Sequence, residues 1–152
     1  MQKLKIKNIS GFTLIEFLIV LGILLMLISI AVSSLSKAGG SEALDTTTMS
    51  LVSILNGAKS SAVSSKDASD YGIRILNNKI ISFKNSYGIE NSEYVVSDLV
   101  ILSTSTGLGA DIIFNNVSGS TNASGTITVR VLNNQSQYNT IRVYPTGVIE
   151  KN

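Results

Sequence analysis

The sequence has no cysteine, no histidine and a single proline, Pro145. Without cysteine there are no disulfides and no thiolate metal sites, and without histidine the commonest general base and metal ligand is missing. An enzyme built on these tools is disfavoured, because no convincing nucleophile or metal motif stands in for them. Charge is also scarce: 14% of residues, 12 basic against 10 acidic. Three of the basic residues, Lys3, Lys5 and Lys7, precede Gly11 with no acidic partner, which leaves nine against ten beyond it. A body so near neutrality gives no global electrostatic case for nucleic acid. With 152 residues there is no room for two cores once the N-terminal run is set aside.

That run is the most informative stretch. From Phe12 to Leu35 the chain is apolar apart from Thr13, Glu16 and three serines. As a helix it would extend about 36 Å, more than the roughly 30 Å of a bilayer's hydrocarbon core. Lysines before it, with only Lys37 close behind, place the N-terminus in the cytoplasm and the C-terminal part on the exported side. A secretory signal peptide is the bland alternative, but its apolar core is shorter, and Ala31-Val32-Ser33 is the nearest approach to a small-residue cleavage site. A plain signal anchor is the other. Neither explains Glu16, since a carboxylate within the membrane costs roughly 2.5–3.5 kcal/mol even on lenient scales.

The junction Gly11-Phe12-Thr13-Leu14-Ile15-Glu16, between a short basic leader and a long apolar helix, closely resembles the type IV prepilin and pseudopilin signature. The resemblance implies that residues 1–11 are a leader removed after Gly11 by a prepilin peptidase. Phe12 then becomes the N-methylated first residue, and Glu16 attracts the amine of a neighbouring subunit during filament assembly. A partner ammonium would offset the carboxylate's cost and fix the axial register. By the same resemblance the glutamate argues against a place at the extreme tip. Many major pilins carry a kinking proline in the second half of this helix; here Ile30-Ala31-Val32-Ser33-Ser34 stands instead, and serines bend a helix only weakly.

Beyond Lys37, Gly39-Gly40-Ser41-Glu42 reads as a helix interruption with a new N-cap at Ser41. Leu44, Leu51, Leu55, Ala58 and Ala62 then share one face of a helix from about Ser41 to Ser65, with Thr46-Thr47-Thr48 as a weak point. Alternating runs predict strands at 71–76, 79–84, 93–102, 110–116, 125–132, 140–144 and 148–150, the first two joined by an Asn77-Asn78 turn. The expected fold is α+β: a transmembrane and filament-core helix over 12–37, then an exported pilin-like domain over 38–152 in which an amphipathic helix packs on antiparallel sheet. Leu51-x3-Leu55-x2-Ala58-Lys59-x2-Ala62, Tyr71-Gly-Ile-Arg-Ile and Thr140-Ile-Arg-Val-Tyr-Pro-Thr-Gly-Val-Ile resemble the H-type minor pseudopilins, the GspH/FimT-like group.

Other candidates are weaker. Asp67 with Asp70, and Glu90 with Glu93, lack the oxygen density of a calcium loop and read as solvated turns, so no metal and no cofactor is expected. Sequons at Asn116, Asn122 and Asn134 carry little weight. Lys59, Lys66, Arg74, Lys79, Lys84, Arg130 and Arg142, with Tyr71, Tyr87 or Tyr138, would bind a nucleic acid strand only if they lined up on one face. The sequence therefore predicts a non-enzymatic minor subunit of a type II secretion pseudopilus or type IV pilus. Its expected partners are the prepilin peptidase/N-methyltransferase, other pilin subunits and lipid along residues 12–35. It would sit in the cytoplasmic membrane and then in a filament; an exported DNA-uptake or adhesin subunit is the alternative.

Overall fold

The computed structural model describes residues 12–64, 66–85, 92–109 and 111–152, with backbone alone at 33–38 and 66. One helix, α1 (Leu14–Val63), is followed by a short 3-10 turn (Lys66–Ala68) and eight strands. These are β1 (Tyr71–Leu76), β2 (Lys79–Lys84), β3 (Ser92–Val95), β4 (Val100–Thr104), β5 (Asp111–Phe114), β6 (Gly125–Val131), β7 (Asn134–Val143) and β8 (Ile149–Lys151). The chain divides into two units, Met1–Lys37 and Ala38–Asn152.

In the first unit, every described side chain from Phe12 to Val32 is exposed. Leu14–Val32 is long and apolar enough to cross a membrane. Apolar residues exposed all round a helix call for lipid or other helices as solvent.

The second unit holds the core. Leu44, Leu51, Leu55, Ala58 and Ala62 of α1 are all buried, in one cluster with the inward faces of two sheets. The first sheet, in the order β3-β2-β1-β5, contributes Ile73, Ile75, Ile80, Ile112 and Phe114. The second, β4-β6-β7-β8, contributes Leu102, Ile127, Val129, Ile141 and Val143. All ladders are antiparallel, and the buried pairs Ile73↔Ile112 and Ile127↔Ile141 fall opposite one another, as the period of two requires. Asn77-Asn78 forms the β1–β2 turn and ties the sheets together: Val96 N–H donates to the Asn78 carbonyl at 2.9 Å and Leu102 N–H to that of Asn77 at 3.1 Å.

Four sequence expectations need correction. The break at Gly39-Gly40 with a fresh cap at Ser41 does not occur, since both glycines are helical within α1. A helical glycine costs only about 1 kcal/mol, and here it permits close approach: a Cβ on Gly40 would come within 3.1 Å of Val131. Thr46-Thr47-Thr48 is no weak point. Thr47 and Thr48 are buried, and Thr48 Oγ1 donates to the Leu44 carbonyl at 2.6 Å while accepting from Asn139 Nδ2 at 3.2 Å. The strand expected at 93–102 is two strands in different sheets, parted where Val100 N–H turns back to the Ser97 carbonyl. The strand expected to start at Thr140 starts at Asn134, because pairing to β6 extends through residues too polar and exposed to register as a strand by pattern.

Candidate functional site

Two regions carry chemistry: the start of α1 and the outward face of the second sheet. At the first, Phe12 and Thr13 precede the helix, Phe12 being 75% exposed. Thr13 Oγ1 accepts the N–H of Glu16 at 3.3 Å, so Thr13 is the helix N-cap and Glu16 its third helical residue. Ser/Thr followed three residues later by Glu is the capping-box pattern, and a carboxylate in the first turn also complements the helix dipole. Thr13-Leu14-Ile15-Glu16 carries that spacing in the sequence itself, so Glu16 has a capping place at the helix start as well as a charge in the apolar run. Among the described residues Glu16 makes no ion pair. Gly11 and the rest of the leader lie outside the described residues.

The carboxylates offered as pairs are separated by their partners. Asp67 binds Lys84 Nζ at 3.0 Å, whereas Asp70 Oδ1 accepts the Asn116 N–H at 2.6 Å. Glu93 meets Lys79 at 3.3 Å, and Glu90 is outside the described residues. Among the described residues no group of three or more His, Cys, Asp or Glu could hold a metal ion.

The basic residues sort by sheet. On the first sheet each is matched with an acid. Arg74 and Asp111, neighbours across β1 and β5, form a bidentate pair at 2.6 and 2.5 Å. On the outward face of the second sheet the arginines lie on aromatic rings instead. Arg130 stands 5.6 Å from the Tyr138 ring centre and Arg142 5.2 Å from that of Tyr144, within cation–π range. The sequence named Arg130, Arg142 and Tyr138, but only the β6–β7 register sets Arg130 opposite Tyr138. Tyr144 donates to Glu150 Oε2 at 2.7 Å, and this hydrogen bond, then desolvation and the nearby negative charge, pushes its phenol above the ordinary value.

Comparison with known proteins bears on the N-terminal segment and on the fold. Residues 6–32 match the family described as the prokaryotic N-terminal methylation motif. Among solved structures, the type IV minor pilin FimU of Pseudomonas aeruginosa is similar over 72% of this chain and 92% of its own, with 14% identity and a TM-score of 0.60. The minor pseudopilin EpsH from the type 2 secretion system of Vibrio cholerae is similar over 72% and 95%, with 11% identity and a TM-score of 0.58. No curated protein sequence matches. At such identities the likeness is one of fold. The chain thus joins an N-terminal methylation motif to the fold of the minor pilins and pseudopilins.

Proposed function

We propose that this chain is a minor subunit, of the H type, of a type II secretion pseudopilus or type IV pilus, cleaved after Gly11 and methylated at Phe12. It acts by assembly rather than by turnover. The observation that carries the reading is the start of α1: an apolar helix exposed all round, beginning at a threonine cap and bearing one carboxylate in its first turn. Before assembly the helix is held in the cytoplasmic membrane, N-terminus inside, with lipid along residues 12–35 and the β domain exported. Cleavage leaves the Phe12 ammonium about one helical turn from Glu16, so the carboxylate can be neutralised by its own chain's amine or by a neighbour's. Only the neighbour's amine links subunits, and that exchange supports a role for Glu16 in register. The likeness to FimU and EpsH, a minor pilin and a minor pseudopilin, supports the class of assembly.

The test is intact mass and N-terminal sequencing of the membrane-purified protein, with and without an active prepilin peptidase, alongside Gly11→Ala. A methylated Phe12 start is expected only with the peptidase and the native glycine; an uncut Met1, or a cut near Ser33, refutes the reading. The second-sheet face, with Arg130 and Arg142 held on Tyr138 and Tyr144, favours one alternative, an exported subunit that binds an anionic polymer such as DNA. Salt-dependent duplex binding that is lost in Arg130→Ala/Arg142→Ala, with filament entry intact, would establish it.

A further inference from the structure

Within the Ala38–Asn152 unit the second sheet runs along α1 in a definite direction. Near the end of the helix, a Cβ on Gly147 in the β7–β8 turn would come within 3.5 Å of Lys59. Farther back, Asn139, which lies opposite Val129, reaches Thr48 and Asp45 at 3.2 Å. Farther back again, Val131 would meet a Cβ on Gly40 at 3.1 Å. β6 therefore descends α1 towards its lower-numbered residues, and the residue that follows Val131, at the leading turn, is Leu132.

Two turns end there on leucine. Leu132 and Asn133 join β6 to β7, with Val131 opposite Asn134. Leu99 stands in the turn that Val100 N–H closes on the Ser97 carbonyl at 3.1 Å, and its side chain lies 3.9 Å from where a Cβ on Gly39 would be. Such turn positions ordinarily hold glycine, asparagine, aspartate or serine. Here Leu99 is 43% and Leu132 53% exposed. Leu132 N–H donates to the Leu99 carbonyl at 2.8 Å, so the two turns are tied together and that donor needs no water. Neither leucine side chain is needed to close its turn; together they make an apolar tip.

Connectivity says what that tip can reach. Leu14–Val32 is long and apolar enough to cross a membrane, and Gly39 comes seven residues after Val32. Seven residues extend at most about 25 Å, and only about 10 Å at the rise of a helix. The interfacial layer outside the hydrocarbon is itself about 5–7 Å deep. A bilayer crossed by Leu14–Val32 is thus the apolar medium nearest to the leucines. Asp98 precedes Leu99 and Asn133 follows Leu132, and neither turn holds a basic residue that would seek anionic headgroups. Turns with open backbone groups do not enter the hydrocarbon, so the depth is that of the headgroup and acyl boundary.

We infer that Leu99 and Leu132 dip into the interface of the exported leaflet and hold the globular unit against the bilayer before assembly. The inference rests on the membrane placement proposed above and adds a second lipid contact, made by the β domain.

Because the chain has no cysteine, one introduced thiol reports one place. Full-length Asn133→Cys, beside Leu132, and Thr146→Cys, exposed in the β7–β8 turn, each carry a polarity-sensitive fluorophore. They are reconstituted at high lipid-to-protein ratio in phosphatidylcholine vesicles, with or without a nitroxide at the headgroup boundary. The expected result is quenching at 133 at least threefold stronger than at 146. Leu99→Ser/Leu132→Ser should lower it to the level at 146, in a protein whose melting matches the parent's. Equal quenching at the two positions, or quenching at 133 that survives the double substitution, would overturn the inference. So would a blue-shifted probe at 133 that lipid nitroxide does not quench, which would give the tip to a second copy or another protein. Flotation with the vesicles is read in the same sample: a chain that fails to float overturns the membrane placement as well, whereas one that floats without quenching overturns this contact alone.

Discussion

Replacing Glu16 with glutamine separates the two roles that the start of α1 allows. The substitution keeps the size of the side chain and removes its charge. The cap runs through the Glu16 main-chain N–H to Thr13 Oγ1 at 3.3 Å and survives. What disappears is attraction for a cation in apolar surroundings. Removing one partner of a buried pair costs about 3–5 kcal/mol, and at about 1.4 kcal/mol per tenfold this weakens each subunit contact by roughly 10²- to 10³-fold or more. Membrane residence should not fall, because a neutral amide is easier to hold in lipid than a carboxylate. The expected result is therefore full processing, full membrane retention and a filament fraction depleted at least tenfold, measured by quantitative immunoblotting of membrane and sheared-filament fractions. Thr13→Ala is the companion, removing a cap worth about 1 kcal/mol and leaving filament entry within about tenfold of the parent. Wild-type filament entry by Glu16→Gln would refute the reasoning. So would equal damage from Thr13→Ala, which would assign Glu16 to starting the helix.

Other outcomes follow from the globular unit. Leu55→Ala, at a site with no exposure, should lose about 3–5 kcal/mol in denaturant unfolding, whereas Met49→Ala, 63% exposed on the same helix, should change stability by less than about 0.5 kcal/mol; equal losses would mean that the leucine stripe is not core. A double-mutant cycle on Arg74 and Asp111 should give a coupling of about 1 kcal/mol, since the pair is bidentate yet a quarter or more exposed on both sides; zero coupling would make it ornamental. Tyr144 should titrate above the ordinary phenol value by ultraviolet difference absorbance, and Glu150→Gln should bring it back towards 10.0. Because its folded value is raised, its stabilising contribution is complete below the ordinary phenol value and is lost as pH rises through the folded one. No change in the titration on Glu150→Gln would refute the assignment.

Much of this protein was legible as local pattern. A continuous apolar run of this length announces a membrane-length helix, and the matched N-terminal methylation motif lies within one short segment, so it needs no tertiary context. The stripe from Leu44 to Ala62 and the Asn77-Asn78 hairpin were equally local, because periods of 3.6 and 2 are properties of the chain itself. Misreadings came where distant partners decide. Two glycines stayed helical because Val131 and Leu99 pack against that stretch, two of three threonines, Thr47 and Thr48, became core, with Asn139 reaching Thr48, and the polar run from Asn134 became a strand because β6 offered it a ladder. The pairing of Arg130 with Tyr138 arises only from the β6–β7 register. The sequence by itself determined the α+β class, the membrane-length helix and the N-terminal methylation motif, since these depend on neighbours a few residues apart. Only the tertiary structure decided which sheet each strand joined and which acid each of Arg74, Lys79 and Lys84 met, because those depend on contacts between residues far apart in the chain.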